Sequence, residues 1–121
     1  MVGKIMPDYI QIRQGDNFTI ALQFRDYQSG KFIDLTNASL KMQVRVKSSG
    51  KAVLSKTGLI DDAVMGKAHL ALLPADSKNL SLDEDYVADI QITFANGEVH
   101  TVYPADVTKV AAFIVTANVT E

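Results

Sequence analysis

Regular alternation between apolar and polar side chains is the feature of this sequence that most restricts its fold. It is clearest in segments 18–25, 40–47 and 86–94, where every second residue is apolar. Because successive side chains of an extended strand point to opposite faces, this period is typical of β-strands that bury one face. A slip of one residue would expose the whole apolar set, so the register of each strand is well specified. The pattern predicts a core containing Phe18, Ile20, Leu22, Phe24, Leu40, Met42, Val44, Ile90, Ile92 and Phe94.

Shorter alternating segments and turn signals fill the rest of the chain. Segments 9–13, 51–56, 67–73 and 98–103 are predicted strands. Asn96-Gly97, between two alternating runs, predicts a hairpin because both residues tolerate a positive φ angle. Ser48-Ser49-Gly50 predicts a second hairpin turn in the same way.

One segment, residues 74–80, breaks the alternation and predicts a single helical turn. Pro74 suits the first turn of a helix, and Asp76 lies where the helix dipole favours a negative charge. We expect it to form a crossover between two sheets, packed down by Leu80 or Leu82. Short strands with frequent turn signals predict an all-β antiparallel sandwich, and a chain of 121 residues is the size of one domain, spanning 1-121.

Composition excludes several classes of function. The formal net charge is -2 and no run of Lys or Arg is present, so nucleic acid is not an expected partner. No apolar run approaches the roughly 18–20 residues that span a bilayer, so no membrane contact is expected. The N-terminal residues lack an apolar signal stretch, which predicts synthesis in a cytoplasm. Because there is no cysteine, disulfides, thiolate zinc sites and cysteine nucleophiles are excluded.

The residues that could carry chemistry do not form a recognisable site. His69 and His100 are expected on the polar faces of strands, and the acidic clusters 61–62 and 83–85 are expected to be solvated turn charges. No serine elbow, phosphate-binding loop or calcium-loop spacing is present. The sequence therefore predicts no enzyme, with no catalytic residue, no cofactor and no metal. An aromatic platform for sugars could use only Tyr9, Tyr27 and Tyr103.

Four groups of residues resemble the immunoglobulin-like N-terminal domain of phage baseplate upper proteins and related small phage tail and head structural domains. The resemblance covers about residues 10–105 and departs from the family at Glu84, where a glycine is common. The segment from Asp34 to Ala38 is similar to Asp-Leu-Thr-Gly-Ala of the family. The groups are Gln14-Gly15-Asp16 before the strand from Phe18; Asp34-Leu35-Thr36-Asn37-Ala38; Leu70-Ala71-Leu72 before 74–82; and Tyr86 with Asp89-Ile90-Gln91, Asn96-Gly97 and Thr101-Val102.

This resemblance implies an immunoglobulin-like β-sandwich that is a non-enzymatic bacteriophage virion structural or adaptor protein. It would be located in the virion, in tail, baseplate or head, after synthesis in the host cytoplasm. It would act through protein–protein assembly with other virion proteins and with itself, as a homo-oligomer in the assembled particle. The alternative function is a carbohydrate- or host-surface-binding β-sandwich module.

The C-terminal segment, residues 109–119, is apolar on both of its alternating faces. One face carries Phe113 and Val115, and the other carries Val110, Ala112 and Ile114. A strand that is apolar on both faces must be covered twice, once by the core and once by something else. A neighbouring subunit would make Val110, Ala112 and Ile114 an interface; the alternative cover is the chain's own N-terminal segment with Ile5 and Met6.

Overall fold

The structure is a computed structural model that describes residues 2–3, 9–26, 28–103 and 111–116. This part of the chain forms eleven strands and one short helix. In chain order these are β1 (Val2–Gly3), β2 (Tyr9–Arg13), β3 (Phe18–Gln23), β4 (Arg25–Asp26), β5 (Ser39–Val46), β6 (Ala52–Thr57), β7 (Leu59–Asp62), β8 (Lys67–Leu72), α1 (Pro74–Lys78), β9 (Tyr86–Thr93), β10 (Val99–Tyr103) and β11 (Ala111–Thr116).

The larger sheet is built around β9 and has the strand order β2-β11-β9-β5-β6. One edge of β9 pairs with β5 along its whole length. The other edge is shared, because β11 pairs with Tyr86–Ala88 and β10 pairs with Ile90–Thr93. All neighbours are antiparallel except β2 and β11, which run parallel. Parallel strands need a long connection, and here most of the domain lies between the two.

The smaller sheet has the order β3-β8-β7, and its inner face packs against the larger sheet. The inward residues of both sheets form one buried cluster, with Ile20, Leu22 and Leu70 from the small sheet and Met42 and Ile90 from the large one. A three-stranded sheet opposed to a larger one with an added edge strand is the arrangement of an immunoglobulin-like sandwich. The predicted fold class is therefore confirmed, with one parallel strand pair added.

Most of the predicted core is buried, and two of its aromatic residues are exceptions. The prediction is wrong for Phe18, which is 36% exposed at the first position of β3, where the sandwich ends. Phe94 is only partly buried at the end of β9. The buried members are Ile20, Leu22, Phe24, Leu40, Met42, Val44, Ile90 and Ile92.

The single helical turn is present as α1, which connects the small sheet to the large sheet as predicted. Leu80 is buried beneath it, whereas Leu82 is exposed. Asp76 accepts a hydrogen bond from the Leu73 N–H (2.6 Å). It also forms an ion pair with Lys56 (3.0 Å), and this ion pair connects the helical turn to β6. A carboxylate at this position also interacts favourably with the helix dipole.

Gln14 and Gly15 join the end of β2 to this helix. The Gln14 side-chain amide donates to the carbonyls of Lys78 (3.1 Å) and Leu80 (2.9 Å). The Gly15 N–H donates to Oγ of the fully buried Ser77 (2.9 Å). The backbone N–H of Gln14 also donates to the Thr116 carbonyl at the end of β11 (2.9 Å). We call this set of bonds the Gln14 clasp; it gives the buried Ser77 hydroxyl a hydrogen-bond partner, without which its burial would be costly.

Two turns show why particular residues stand in them. Asn37 has a φ angle of 60°, the left-handed region that favours Gly and, after it, Asn. Gly97 has a φ angle of 90°, and its N–H donates to the Phe94 carbonyl (2.9 Å) while Phe94 donates to Glu98 (2.8 Å). The predicted hairpin is therefore present, with a three-residue loop in which only the glycine has a positive φ angle.

Candidate functional site

The outer face of the large sheet carries a row of four side chains that cross-strand pairing places side by side. Tyr9 pairs with Ala112, Ala112 with Val87, and Val87 with Arg45. Their sequence neighbours Ile10, Phe113, Ala88 and Val44 are buried, so these four point away from the core. We call Tyr9, Ala112, Val87 and Arg45 the outer row.

Most of the outer row is accessible, although three of its four members are apolar or aromatic. Tyr9 is 48% exposed, Ala112 is exposed and Val87 is half-buried. Ile114, two residues along β11 and paired with Gln11, is 39% exposed on the same face. Two residues of the predicted interface, Ala112 and Ile114, thus lie together on an accessible surface. Val110 lies outside the described residues, as do Ile5 and Met6, so the prediction of an interface remains a prediction.

A groove of about 330 Å³ lies beside the outer row, between β11 and the loop that precedes β9. Two hydrogen bonds hold this loop: the Tyr86 hydroxyl accepts from the Ser81 N–H (2.8 Å), and the Lys47 N–H donates to the Asp85 carbonyl (2.8 Å). The groove is lined by both charged and apolar side chains. Its lining residues are Lys47, Leu82, Glu84, Asp85, Tyr86, Val87, Ala112, Phe113, Ile114 and Val115.

Arg45 is the cationic end of the outer row and is held by its own sheet. Its guanidinium donates to the Gln43 side-chain oxygen and to the Gly50 carbonyl (3.4 Å). Asp89 lies two residues from Val87 on the same face of β9. Burial raises the pKa of the Asp89 carboxyl above its ordinary value, and the positive charge of Arg45 offsets part of that effect. The exposed Arg45 therefore interacts with Gln43, Gly50 and the partly desolvated Asp89 of its own chain.

The two histidines lie at separate surface positions. Nδ1 of His69 lies 2.8 Å from Asp61 Oδ1, and Nε2 of His100 lies 3.3 Å from Glu98 Oε2. His100 also packs edge-on against Phe94, with ring centroids 5.5 Å apart. Within residues 2–3, 9–26, 28–103 and 111–116, no cluster of three or more His, Asp or Glu side chains could hold a metal ion. The same part of the chain contains no helix long and apolar enough to cross a membrane.

Of the three tyrosines that could form a sugar platform, the structure describes Tyr9 and Tyr103. Tyr9 is exposed, but Tyr103 is fully buried and cannot contribute to such a platform. The cause is a β-bulge in β10: Thr101 pairs with Gln91 while Tyr103 pairs with Ile90, which turns Tyr103 inward. Tyr27 lies outside the described residues.

Sequence reasoning missed Val87 and Arg45 as members of the candidate surface. Each is an unremarkable residue in its own strand, and the row exists only because four strands distant in sequence pair in one register. Tyr9 was noticed only as an aromatic side chain that could be exposed. A prediction of strand order and register would have been needed to find the row.

The fold is that of a small immunoglobulin-like domain, and one face of its larger sheet exposes apolar and aromatic side chains. The sequence matches the family model of the BppU N-terminal domain over residues 2–118. The chain belongs to this family, the N-terminal domain of phage baseplate upper proteins, and the resemblance noted above is confirmed. The protein is therefore a phage baseplate structural protein and a component of the virion.

The other comparisons concern overall similarity. No curated protein matches the sequence. Among solved structures, the chain is similar to murine CRIg, with 11% sequence identity and a TM-score of 0.44, over 96% of this chain and 98% of that chain.

Proposed function

We propose that this chain is a single, non-enzymatic domain that acts as an adaptor in the baseplate, through protein–protein contacts of its outer row and of the adjoining Ile114. Its partners are other virion proteins and copies of itself, and neither nucleic acid nor membrane is among them. After synthesis in the host cytoplasm it is built into the particle. The observation that carries the proposal is the exposure of Tyr9, Ala112 and Ile114 together on one sheet face.

The rest of the same sheet face is polar, so the exposed apolar side chains are confined to one part of it. Farther along β9, β10 and β5, the outward residues include Gln91, Thr101 and Lys41, all exposed. An antiparallel sheet with one solvated face normally carries polar residues there. Apolar residues gathered at one end of such a face mark a surface that is covered in the assembled state.

The test is the incorporation of variants into phage particles. Ile114→Asp places a charge on the contact surface, and because Ile114 is exposed the domain should keep its fold. Thr101→Asp is the matched control, since it adds the same charge at an exposed outward position on β10. Particles carrying each variant are purified, and the amount of the protein in them is measured by quantitative mass spectrometry.

We expect the Ile114→Asp protein to be depleted from particles at least tenfold, and the Thr101→Asp protein to be incorporated like the wild type. Circular dichroism and the melting temperature of each purified variant check that the fold is intact. Equal incorporation of both folded variants would overturn the assignment of this surface, and absence of the wild-type protein from purified particles would overturn the proposed role.

A further inference from the structure

We infer that the occupant of the outer row is the outer row of a second copy of this chain. The two copies are related by a twofold axis that runs parallel to the strands, in the plane of the contact, between β9 and β11. This inference rests on the proposed function, because it names the partner of the same surface.

The order of residues in the outer row makes it complementary to itself about that axis. Across the sheet the order is Tyr9, Ala112, Val87, Arg45. Rotation about an axis between Ala112 and Val87 brings Ala112 opposite Val87 of the second copy, and Tyr9 opposite Arg45 of the second copy. A guanidinium on an aromatic face and a small side chain against a branched one are both favourable pairings. Each pairing occurs twice, as in any contact with twofold symmetry.

Tyr9 and Arg45 of the same copy are too far apart to form a cation–π contact with each other. Tyr9 lies on β2 and Arg45 on β5, with β11 and β9 between them. Three strand spacings separate their backbones by about 14 Å. Arg45 is also fixed by Gln43 and Gly50, so its guanidinium stays on its own side of the sheet. If substitutions at positions 9 and 45 compensate for each other in dimerisation, the two side chains must therefore meet between copies.

The size of the surface sets the strength of the contact and hence the design of the test. The outward area of the four strands is about 20 Å by 20 Å, or about 400 Å². A stable interface uses about 800 Å² on each partner. Isolated copies should therefore associate weakly and reversibly. In the particle, where copies are held close together, their high effective concentration would favour the same contact.

The experiment measures self-association of the purified full chain by analytical ultracentrifugation from about 5 to about 500 micromolar, where a weak dimer dissociates. Tyr9→Lys places a cation opposite Arg45 of the second copy and should weaken dimerisation at least tenfold. Arg45→Glu places a carboxylate against the negative face of the Tyr9 ring and should weaken it similarly. The control is Thr101→Lys, which adds a cation on the same face away from the row.

Mixing the two single variants is the decisive step. In a mixed pair, the new lysine at position 9 faces the new glutamate at position 45, and the other contact keeps the native Tyr9 and Arg45. We expect the mixture to form a heterodimer although neither variant dimerises alone, a result that a folding defect in either variant could not produce.

Three results would overturn the inference: a wild type that stays monomeric throughout the range, a Tyr9→Lys variant that dimerises like Thr101→Lys, or a mixture of the two single variants that does not pair. The proposed function fails separately. If the wild type is monomeric but Ile114→Asp is still lost from particles, the surface binds a different virion protein, and only the inference about a second copy is wrong.

Discussion

Replacing Ile90 by alanine tests the centre of the sandwich. Ile90 is 0% exposed on β9, where it pairs with Met42 on β5 and with Tyr103 on β10. The substitution removes three carbons, which at about 0.8 kcal/mol for each buried methylene corresponds to about 2.4 kcal/mol. Neighbours held in two sheets cannot collapse fully into the space, so a cavity term brings the expected loss to about 4 kcal/mol.

The free energy of unfolding is measured by urea denaturation, followed by circular dichroism at low protein concentration. Ile114→Ala is the matched control, because it makes the same chemical change at a side chain that is 39% exposed, and it should cost less than about 1 kcal/mol. A domain of ordinary stability has about 5–15 kcal/mol in total, so a loss of about 4 kcal/mol removes between about a quarter and most of it. A loss below about 1 kcal/mol for Ile90→Ala would show that the inward face of β9 is assigned wrongly.

Three further predictions concern a turn, an ion pair and metals. Asn37→Ala should lower stability by about 1 kcal/mol, because alanine disfavours the left-handed backbone at this position, whereas Asn37→Gly should change it little; the two melting temperatures compared with wild type decide this. Burial raises the pKa of Asp76, but the hydrogen bonds from the Leu73 N–H and from Lys56 outweigh it and hold this pKa below its ordinary 3.8. The resulting stabilisation is complete above pH 3.8 and is lost as the pH falls through the lower folded value, so the stability gap between wild type and Asp76→Asn at neutral pH should close in acid; a gap that persists in acid would refute this account. Addition of EDTA should leave the melting temperature unchanged, and a drop of several degrees would instead identify Asp61, Asp62, Asp83 and Asp85 as candidate ligands.

Alternation predicted most of the inward faces because it depends only on neighbours along one strand. Ile20, Leu22, Met42 and Ile92 are buried where the pattern placed them. Phe18 continues the same alternation but is exposed, since the pattern gives the face of a strand and not the point at which the opposite sheet stops covering it.

The features that could not be predicted involve contacts between distant parts of the chain. The bulge before Tyr103 changes which face this residue occupies, and no local signal distinguishes it from regular alternation. The parallel pairing of β2 with β11 joins residues about as far apart as the chain allows. The outer row depends on that pairing, so the candidate site as a whole was beyond the sequence patterns even though Ala112 and Ile114 were identified.

The parallel pair has a mechanical consequence. Because β2 and β11 run in the same direction, Tyr9 lies at one pole of the domain and Thr116 at the other. A pull that separates these two residues acts along the strands and loads their hydrogen bonds in shear, so that the bonds share the force and must yield together. The Gln14 clasp adds a further bond, from Gln14 to Thr116, at the pole where the force leaves β11. Force applied between Tyr9 and Thr116 therefore loads these hydrogen bonds together, whereas a pull across the sheet would open the same strands one bond at a time.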